Sequence, residues 1–332
     1  MTKSLVTGAC GFVGRHLVDA LVARGDEVVA SDVANEGPRD DVRFEKVDLR
    51  DADAVTELVA GVDVVFHSAS VVHTRNTNVD TVFAVNVGGT DHLLAACREH
   101  GVARFVYVSS ASAVYEGRDI ENGDETMPYS SITQAPYADS KIEAEKHVLA
   151  ADDEGGLRTC AIRPHVVFGP GDTRFLPAII SRARAGKLKL GVGRDHKLSD
   201  FTYIDNLVEA LLLADDKLAD GQAGGEAYFV TNGEPRAFFA FVSQVLAHLD
   251  LPPIKGYDPY HLAYGVAAIK ETFDALRGRP IGEEDGLSRF AIRYMCTHHY
   301  FSIDKARREL GYEPAVDLDE GIARTCEVLR SA

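Results

Sequence analysis

The chain has 332 residues and 45% of them are hydrophobic, so it is long enough for one large α/β domain with a smaller lobe. Its formal net charge of −16 repels phosphodiester backbones and argues against a nucleic-acid partner. The 5 cysteines are scattered and form no CxxC pair, which is typical of reduced thiols in a cytoplasmic protein rather than of a disulfide framework.

The chain begins directly on a predicted strand, with no basic and apolar leader in front of it. No uncharged apolar run reaches the ~18 residues that a membrane-spanning helix needs. We therefore expect a cytoplasmic protein without an integral membrane segment.

The first half of the chain alternates short β-branched runs with amphipathic runs of helical period. The predicted strands are Leu5–Thr7, Glu27–Ser31, Val42–Val47, Val62–His67, Arg104–Ser109 and Thr159–Arg163, and the predicted helices include Phe12–Arg24, Asp53–Ala60 and Val82–His100. Such alternation predicts right-handed βαβ units. The expected fold is therefore a Rossmann-type, doubly wound parallel sheet in the α/β class.

The pattern becomes irregular after Pro164. Further predicted elements are the helices Phe175–Ala185 and Asp205–Leu213, the strand Ala227–Thr231, and an amphipathic helix at Tyr260–Arg277 that is either a pocket lid or an ordinary surface helix. We predict a sheet domain at residues 1–165, to which 200–231 return. A smaller, mainly helical substrate lobe would comprise 166–199 and 232–332.

Three glycines follow the first predicted strand at a GxxGxxG spacing, namely Gly8, Gly11 and Gly14. The first permits a tight turn, the second lets the backbone approach a pyrophosphate, and the third lets the helix pack close to the strand. The pyrophosphate would lie at the helix N-terminus, which attracts anions. An ordinary turn is the alternative for a glycine trio alone. Its place between a strand and a helix predicts a dinucleotide site in the sheet domain.

The strand ends supply further predicted cofactor contacts. Asp32 can accept hydrogen bonds from both hydroxyls of the adenosine ribose and would repel a 2′-phosphate, which favours NAD over NADP. The alternative is that Asp32 merely starts a loop, and for Asn86 the alternative is a simple helix kink. The cofactor contacts predicted from this pattern are Thr7, Gly8, Gly11, Phe12, Val13, Gly14, Asp32, Asp48, Leu49, Ser68, Ala69, Ser70 and Asn86.

Tyr137 and Lys141 are four residues apart at the start of a predicted helix, so they share one helix face. A nearby ammonium and the positive nicotinamide ring stabilise a phenolate and should lower the tyrosine pKa from its ordinary value of about 10, which makes Tyr137 an acid/base for a carbinol proton. Both residues are also predicted cofactor contacts, and Lys141 is placed to hold the nicotinamide ribose.

The fifth predicted strand brings Ser109 and Ser110 to the sheet edge where α/β folds bind ligands. Ser109 is a predicted cofactor contact, and Ser110 can donate to a substrate oxygen. Ser112 competes for the role of Ser110, and a loop cap is the alternative for each serine.

The glycine turn, acidic strand end, serine and YxxxK pair, in this order, resemble an extended short-chain dehydrogenase/reductase. The resemblance implies that Ser110, Tyr137 and Lys141 form the catalytic triad. It also implies that the backbone from Pro164 to Val167 shapes the nicotinamide site, so both of these residues are expected cofactor contacts. Relatives of this kind are frequently dimers, so a homodimer is an expectation of the resemblance.

The substrate lobe distinguishes the branches of that family. Nucleotide-sugar enzymes typically place Asn where this chain has the apolar Val166–Val167, and Arg where it has Ser199. The segments Ala161–His165 and Asp200–Asn206 instead resemble the 3β-hydroxysteroid dehydrogenase branch, most of all the decarboxylating sterol-4α-carboxylate 3-dehydrogenases.

The resemblance implies NAD-dependent oxidation of a 3β-hydroxy group on a large apolar substrate, either a steroid or sterol or a 3-hydroxy acid, with loss of CO₂ from the β-keto acid as a further step. The candidate cations for its carboxylate are His165, Arg174 and Arg194, each with surface charge or a helix cap as the alternative. The other hypotheses are a 2-alkyl-3-oxoalkanoate reductase, a nucleotide-sugar epimerase or dehydratase, and a non-catalytic NAD sensor. No metal belongs to the expected chemistry.

Overall fold

The computed structural model describes residues 1–72, 78–133, 135–193, 196–277 and 288–331. Its strands are β1 (Lys3–Thr7), β2 (Glu27–Asp32), β3 (Arg43–Lys46), β4 (Val64–His67), β5 (Arg104–Val108), β6 (Ile120–Gly123), β7 (Arg158–Pro164), β8 (Val167–Phe168), β9 (Gly191–Val192), β10 (Leu198–Ser199), β11 (Thr202–Tyr203), β12 (Glu226–Val230), β13 (Arg236–Ala237), β14 (Tyr257–Asp258) and β15 (His299–Phe301). Its α-helices are α1 (Phe12–Arg24), α2 (Ala52–Val59), α3 (Val79–Phe83), α4 (Gly89–His100), α5 (Pro136–Ala150), α6 (Phe175–Arg184), α7 (Ile204–Ala219), α8 (Phe238–His248), α9 (Tyr260–Leu276), α10 (Arg289–Met295) and α11 (Leu318–Ser331).

The main sheet has 7 strands in the order β12-β7-β5-β4-β1-β2-β3. Every neighbouring pair is parallel, so the carboxyl ends of all these strands lie along one edge. Thr7 ends β1 beside Ser31 on one side and His67 on the other. The predicted Rossmann-type sheet is confirmed, and the predicted strands differ from the observed ones only by small shifts at their ends.

Both faces of this sheet are covered, which explains why its strands are continuous apolar runs. One buried cluster joins α1 and α7 to the sheet and contains Leu17, Leu21, Leu207 and Leu211. The other cluster joins α2, α4 and α5 to the opposite face. The helices therefore hold the strand ends in fixed positions.

The predicted helix interruption around Asn86 is a π-helical turn, Ala84–Gly88, between α3 and α4. The next residue, Gly89, packs against the loop after β3: a Cβ there would lie 2.7 Å from Leu49 Cβ. A larger residue would push α4 away from this loop.

The remaining strands form a 4-stranded sheet in the order β13-β10-β15-β6 and the pairs β8–β11 and β9–β14. Strand β6 comes from the first half of the chain and pairs with β15. Its residue Ile120 is buried with Phe229 and Phe301. Helix α9 occupies the predicted amphipathic segment and buries Ala263 and Ala267. Its exposed apolar residues are Leu262, Val266, Ile269, Phe273 and Leu276. Among the described helices, none combines the length and apolarity that crossing a bilayer requires.

Candidate active site

Two cavities meet at the carboxyl edge of the main sheet, above the turn between β1 and α1. The β2 cavity, of about 410 Å³, is lined by the ends of β1, β2 and β3. The β5 cavity, of about 370 Å³, is lined by the ends of β5 and β7 and by the start of α5. Both are lined by Gly8, Gly11, Ser68 and Ser70, so they form one continuous groove.

The glycine turn is shaped for close approach to this groove. Gly8 has φ of 69°, and a Cβ on it would lie 2.6 Å from Ala69 Cα. A Cβ on Gly14 would lie 2.1 Å from the carbonyl oxygen of Gly8. Helix α1 begins after Gly11 without a side-chain cap, so its first N–H groups remain available to an anion.

Ser70 adds a hydroxyl where the two cavities meet. Its Oγ is buried and has no hydrogen-bond partner within the described parts of the chain. A buried hydroxyl without a partner is costly unless a ligand satisfies it. The uncapped helix, the glycine cradle and this hydroxyl together fit the pyrophosphate of a dinucleotide.

Asp32 is held at the end of β2 by two main-chain donors. Its Oδ2 accepts from Cys10 N at 3.0 Å and its Oδ1 from Ala34 N at 3.2 Å. Each carboxylate oxygen keeps acceptor capacity for a ribose hydroxyl.

Sequence reasoning overlooked Arg50 as a cation lining the β2 cavity. Its guanidinium is paired with Asp48 at 2.5 Å, and this pairing holds the pKa of Asp48 below its ordinary value. That pairing leaves less of the arginine's charge for a 2′-phosphate.

The groove brings together nearly all of the predicted cofactor residues. The β2 cavity is lined by Thr7, Gly8, Gly11, Asp32, Asp48, Leu49, Ser68, Ala69 and Ser70. The β5 cavity adds Phe12, Val13, Gly14, Ser109, Tyr137, Lys141, Pro164 and Val167. Residues that sequence reasoning missed are Ser31, Val33, Val47, Arg50, Val71, Thr81, Val85, Val72, Val108 and Thr173. Most of these flank predicted strand ends, which is the signal that could have found them.

Asn86 does not line either cavity. It is 1% exposed, and its Oδ1 accepts from Val71 N at 2.7 Å. Its Nδ2 donates to Val71 O at 3.1 Å and to Ser140 Oγ at 2.9 Å. These bonds use the side chain to fix the loop after β4 against α5, which favours an indirect role over the predicted cofactor contact.

Tyr137 lies in the first turn of α5 and lines the β5 cavity together with Ser110. Burial raises the pKa of Tyr137 to about 12, and the nearby Ser110 hydroxyl and the positive charge of Arg174 only partly oppose this rise. In the chain without NAD, desolvation of the phenolate therefore outweighs the groups that stabilise it, and the lowering expected from the ammonium together with the nicotinamide ring stays a prediction for the cofactor-bound protein.

Lys141 is 2% exposed, and its Nζ donates to Val108 O at 2.7 Å. The same Nζ lies 4.5 Å from the centre of the Tyr107 ring. Burial lowers the pKa of Lys141 to about 7, and Glu145 opposes this effect. The lysine is thus fixed on the last residue of β5, beside the groove.

Ser110 and Ser112 do not occupy equivalent positions. Ser112 donates to Ser110 Oγ from its main-chain N at 3.2 Å and from its Oγ at 2.8 Å. Because Ser110 Oγ accepts these bonds, its own hydrogen can be donated towards Tyr137 or a substrate oxygen. Ser110 lines the β5 cavity, which favours it over Ser112 as the contact to substrate.

Of the three candidate cations, Arg174 lies at the edge of the β5 cavity. Its Nη1 donates to Val72 O at 2.8 Å. His165 is buried, with its Nε2 2.7 Å from His299 Nδ1, and burial holds the pKa of His165 well below its ordinary value. A neutral, enclosed imidazole is poorly suited to bind a carboxylate. Arg194 lies outside the described residues.

One part of the cavity wall is apolar and has a strained backbone. Val166 and Val167 line the β5 cavity, and Val166 has φ of 41°. A β-branched residue in this region stores conformational strain, which is often found at binding sites. Ser199 does not line this cavity: it is buried, with its Oγ 3.0 Å from His299 Nδ1.

Comparisons with known proteins agree with this geometry. The model of the 3-beta hydroxysteroid dehydrogenase/isomerase family matches residues 5–257. The 2-alkyl-3-oxoalkanoate reductase of Stenotrophomonas maltophilia (strain K279a) is 40% identical over 330 residues, which cover 97% of this chain and 98% of the reductase. The decarboxylating sterol-4-alpha-carboxylate 3-dehydrogenase of Homo sapiens is 36% identical over 330 residues, covering 99% and 88%.

Solved structures share the whole fold. MoeE5 in complex with UDP-glucose and NAD superimposes with a TM-score of 0.77 at 25% identity, covering 99% of both chains. The UDP-glucose 4-epimerase of Thermus thermophilus, in complex with NAD, gives a TM-score of 0.74 at 26% identity and covers 100% of both chains.

Proposed function

Because the chain belongs to the 3-beta hydroxysteroid dehydrogenase/isomerase family, we propose that it uses NAD to oxidise a 3-hydroxy group on a large apolar substrate that carries a neighbouring carboxylate. Family membership makes the chain an NAD(P)-dependent oxidoreductase acting on CH–OH groups, as its sequence predicted. The hypothesis of a non-catalytic sensor is therefore set aside.

The groove suits a dinucleotide laid across the glycine turn. Asp32 would hold the adenosine ribose, and the first turn of α1 with Ser70 would hold the pyrophosphate. The nicotinamide would lie in the β5 cavity beside Lys141 and Val167. When bound there, NAD supplies the acceptor for the hydride. The carboxylate of Asp32 disfavours a 2′-phosphate, which supports NAD over NADP.

The observation that carries the substrate proposal is the position of Arg174. It lines the same cavity as Ser110 and Tyr137, and its charge reaches the phenol. One guanidinium N–H is bonded to Val72, and a guanidinium has five such donors, so others remain for a carboxylate. A 3-hydroxy acid could place its hydroxyl on Tyr137 and its carboxylate on Arg174. The apolar Val166 and Val167 suit a hydrocarbon body.

The residues then account for the chemistry. Tyr137 accepts the hydroxyl proton as the C–H hydrogen leaves as hydride, and Lys141 favours the phenolate electrostatically. Ser110 donates to the carbonyl oxygen that forms. In the β-keto acid, the C–CO₂ bond can break, and its electron pair forms an enolate whose oxygen lies where Ser110 and Tyr137 donate. Protonation at carbon completes the loss of CO₂.

Reduction of a 2-alkyl-3-oxoalkanoate is the second candidate. Burial raises the pKa of Tyr137 to about 12, so at neutral pH the phenol carries the proton that a ketone reductase must deliver. The relative at 40% identity is named for this reaction. A nucleotide-sugar epimerase is less well supported, because Ser199 is enclosed against His299 and offers no cation for a diphosphate.

Initial rates with matched substrates test the proposal. Purified protein would receive NAD⁺ or NADP⁺ with a 2-alkyl-3-hydroxyalkanoate, a 4α-carboxysterol, the corresponding sterol without the carboxylate, and UDP-glucose. The 3-oxo acid with NADH would measure the reverse direction. We expect NAD-dependent turnover of a carboxylated substrate and a much lower rate without the carboxylate. Turnover of UDP-glucose alone would overturn the proposal.

A further inference from the structure

A buried ion pair lies one helical turn beyond Lys141, and the chemistry described above does not use it. Glu145 follows Lys141 by four residues on α5 and is 0% exposed. Arg163, on β7, is 4% exposed, and its Nε lies 3.1 Å from both carboxylate oxygens of Glu145. Burying two charges is costly unless both are paired and hydrogen-bonded, so this arrangement is an expensive one to maintain.

The carboxylate of Glu145 joins the three segments that form the β5 cavity. Its Oε2 accepts from the hydroxyl of Ser109, the residue next to Ser110. Its Oε1 accepts from Tyr129 OH at 2.8 Å. Arg163 immediately precedes Pro164, which lines the cavity. One side chain on α5 therefore contacts the ends of β5 and β7 and the loop that leads into the helix.

The charged surroundings of Lys141 give this carboxylate a second effect. On α5, Lys141 has Tyr137 before it and Glu145 after it. Tyr107 of β5 lies under its Nζ, and burial raises the pKa of that phenol well above its ordinary value. His67 of β4 is within electrostatic reach, and burial lowers its pKa to about 3. At neutral pH both of those groups are uncharged, so Glu145 is the anion acting on Lys141, and Arg163 partly offsets it.

We propose that Glu145, oriented by Arg163, is a positioning residue that keeps Lys141 protonated and ties the helix bearing Tyr137 to the strand end bearing Ser110. The inference rests on the proposed function, because Lys141 matters only if Tyr137 transfers the proton. Glu145 acts through Lys141 and Ser109, and touches neither substrate nor cofactor.

The two members of the pair should shift the titration of Lys141 in opposite directions. Glu145→Gln removes the anion and leaves Arg163 as an uncompensated cation, so Lys141 loses its proton at lower pH. Arg163→Met keeps the anion and removes the cation, so Lys141 keeps its proton to higher pH. Removing a neighbouring buried charge typically shifts the pKa of a group by about one unit or more. A substitution that only disturbed the packing of the site would not shift the pKa of Lys141 in opposite directions in the two variants.

The experiment measures the affinity for NADH as a function of pH, with the fluorescence of bound NADH as the readout. It also measures kcat at each pH. We expect the midpoint of the pH-dependent loss of affinity to fall in Glu145→Gln, to rise in Arg163→Met, and to return towards the wild-type value in the double variant. The ratio of variant to wild-type kcat for Glu145→Gln should improve as the pH is lowered. Glu143→Gln removes the same charge from an exposed position on the same helix and should leave the midpoint unchanged.

Thermal unfolding of each variant establishes that it is folded under the assay conditions. If Glu145→Gln does not fold, the upward shift in Arg163→Met still decides the matter. Midpoints that stay at the wild-type value in folded variants, or that move in the same direction in both, would overturn the inference. Wild-type turnover in Tyr137→Phe would instead overturn the proposed function, and the binding midpoints would be unaffected by that result.

Discussion

Lys141 Nζ donates to the carbonyl oxygen of Val108 at 2.7 Å, which fastens the lysine of α5 to the last residue of β5. Ser110 follows Val108 by two residues and lines the same cavity as Tyr137 and Lys141. The strand end and the helix therefore form one closed arrangement around the cavity. The serine, tyrosine and lysine are positioned by each other as well as by the sheet.

Ser110 and Ser112 should differ sharply when replaced. Ser110→Ala removes the hydroxyl that lines the cavity, and we expect kcat/KM to fall about 100-fold or more, as for loss of a donor to a developing oxyanion. Ser112→Ala removes a donor to Ser110 but leaves the hydroxyl that lines the cavity in place, and should cost less than about tenfold. Steady-state kinetics of both variants with one substrate gives the comparison, and a larger loss in Ser112→Ala would reverse the assignment.

Asp32 should determine the choice of cofactor. Asp32→Ser removes the carboxylate, and Val33→Arg adds a cation at a side chain that is 62% exposed and lines the β2 cavity. In the double variant we expect the preference for NAD over NADP to fall by about 100-fold, because a 2′-phosphate gains a partner and loses a repulsion. The matched control is Asp32→Ser with Val33→Gln. Unchanged ratios of kcat/KM for the two cofactors would show that Asp32 does not govern the preference.

Arg174 should act on the substrate's carboxylate. Arg174→Gln is expected to lower kcat/KM for a 3-hydroxy acid by about 10–100-fold, since a charge-assisted contact is lost. The methyl ester of the same acid should be affected much less. Arg184→Gln, which removes an exposed charge from the last residue of α6, serves as the control. Equal losses with the acid and the ester would show that Arg174 does not recognise the carboxylate.

Asp200 should make stability depend on pH. Its Oδ2 accepts from Phe301 N at 2.7 Å, whereas its Oδ1 is buried without a hydrogen-bond partner within the described residues. Burial raises the pKa of Asp200 to about 7, so its contribution to stability is present below the ordinary pKa and is lost as the pH rises through 7.

Asp200→Asn lacks this titration. The free energy of unfolding of the variant minus that of wild type should therefore increase by about 1–3 kcal/mol from about pH 5 to about pH 8. Urea unfolding at both pH values measures the difference. A variant that follows the wild-type pH dependence would show that Asp200 does not titrate in this range.

The sequence was sufficient for the sheet and for the position of Tyr137 and Lys141. Glycine spacing, strand ends and the YxxxK pair are local features, and parallel strands bring their carboxyl ends to one edge whatever the details of packing. For that reason the groove contains almost every predicted cofactor residue.

Features that depend on distant parts of the chain could not be predicted. His165 can carry the positive charge that a carboxylate ligand needs, but the folded chain buries it against His299, which is far away in the sequence, and this burial holds the pKa of His165 well below its ordinary value. The pKa of Tyr137 depends on how completely the folded chain buries the phenol, and the residue spacing does not report that burial. The pairing of β6 (Ile120–Gly123) with β15 likewise depends on contacts between residues that are far apart in the sequence.

Deuterium transfer tests the central claim most directly. Purified wild type and Tyr137→Phe would be incubated with NAD⁺ and a 2-alkyl-3-hydroxyalkanoate deuterated at C3, with mass spectrometry of the cofactor and the ketone. We predict that wild type moves deuterium into the reduced cofactor and that Tyr137→Phe does so at least about 100-fold more slowly while its affinity for NADH stays close to wild type. Transfer at the wild-type rate by Tyr137→Phe would contradict proton transfer through this tyrosine.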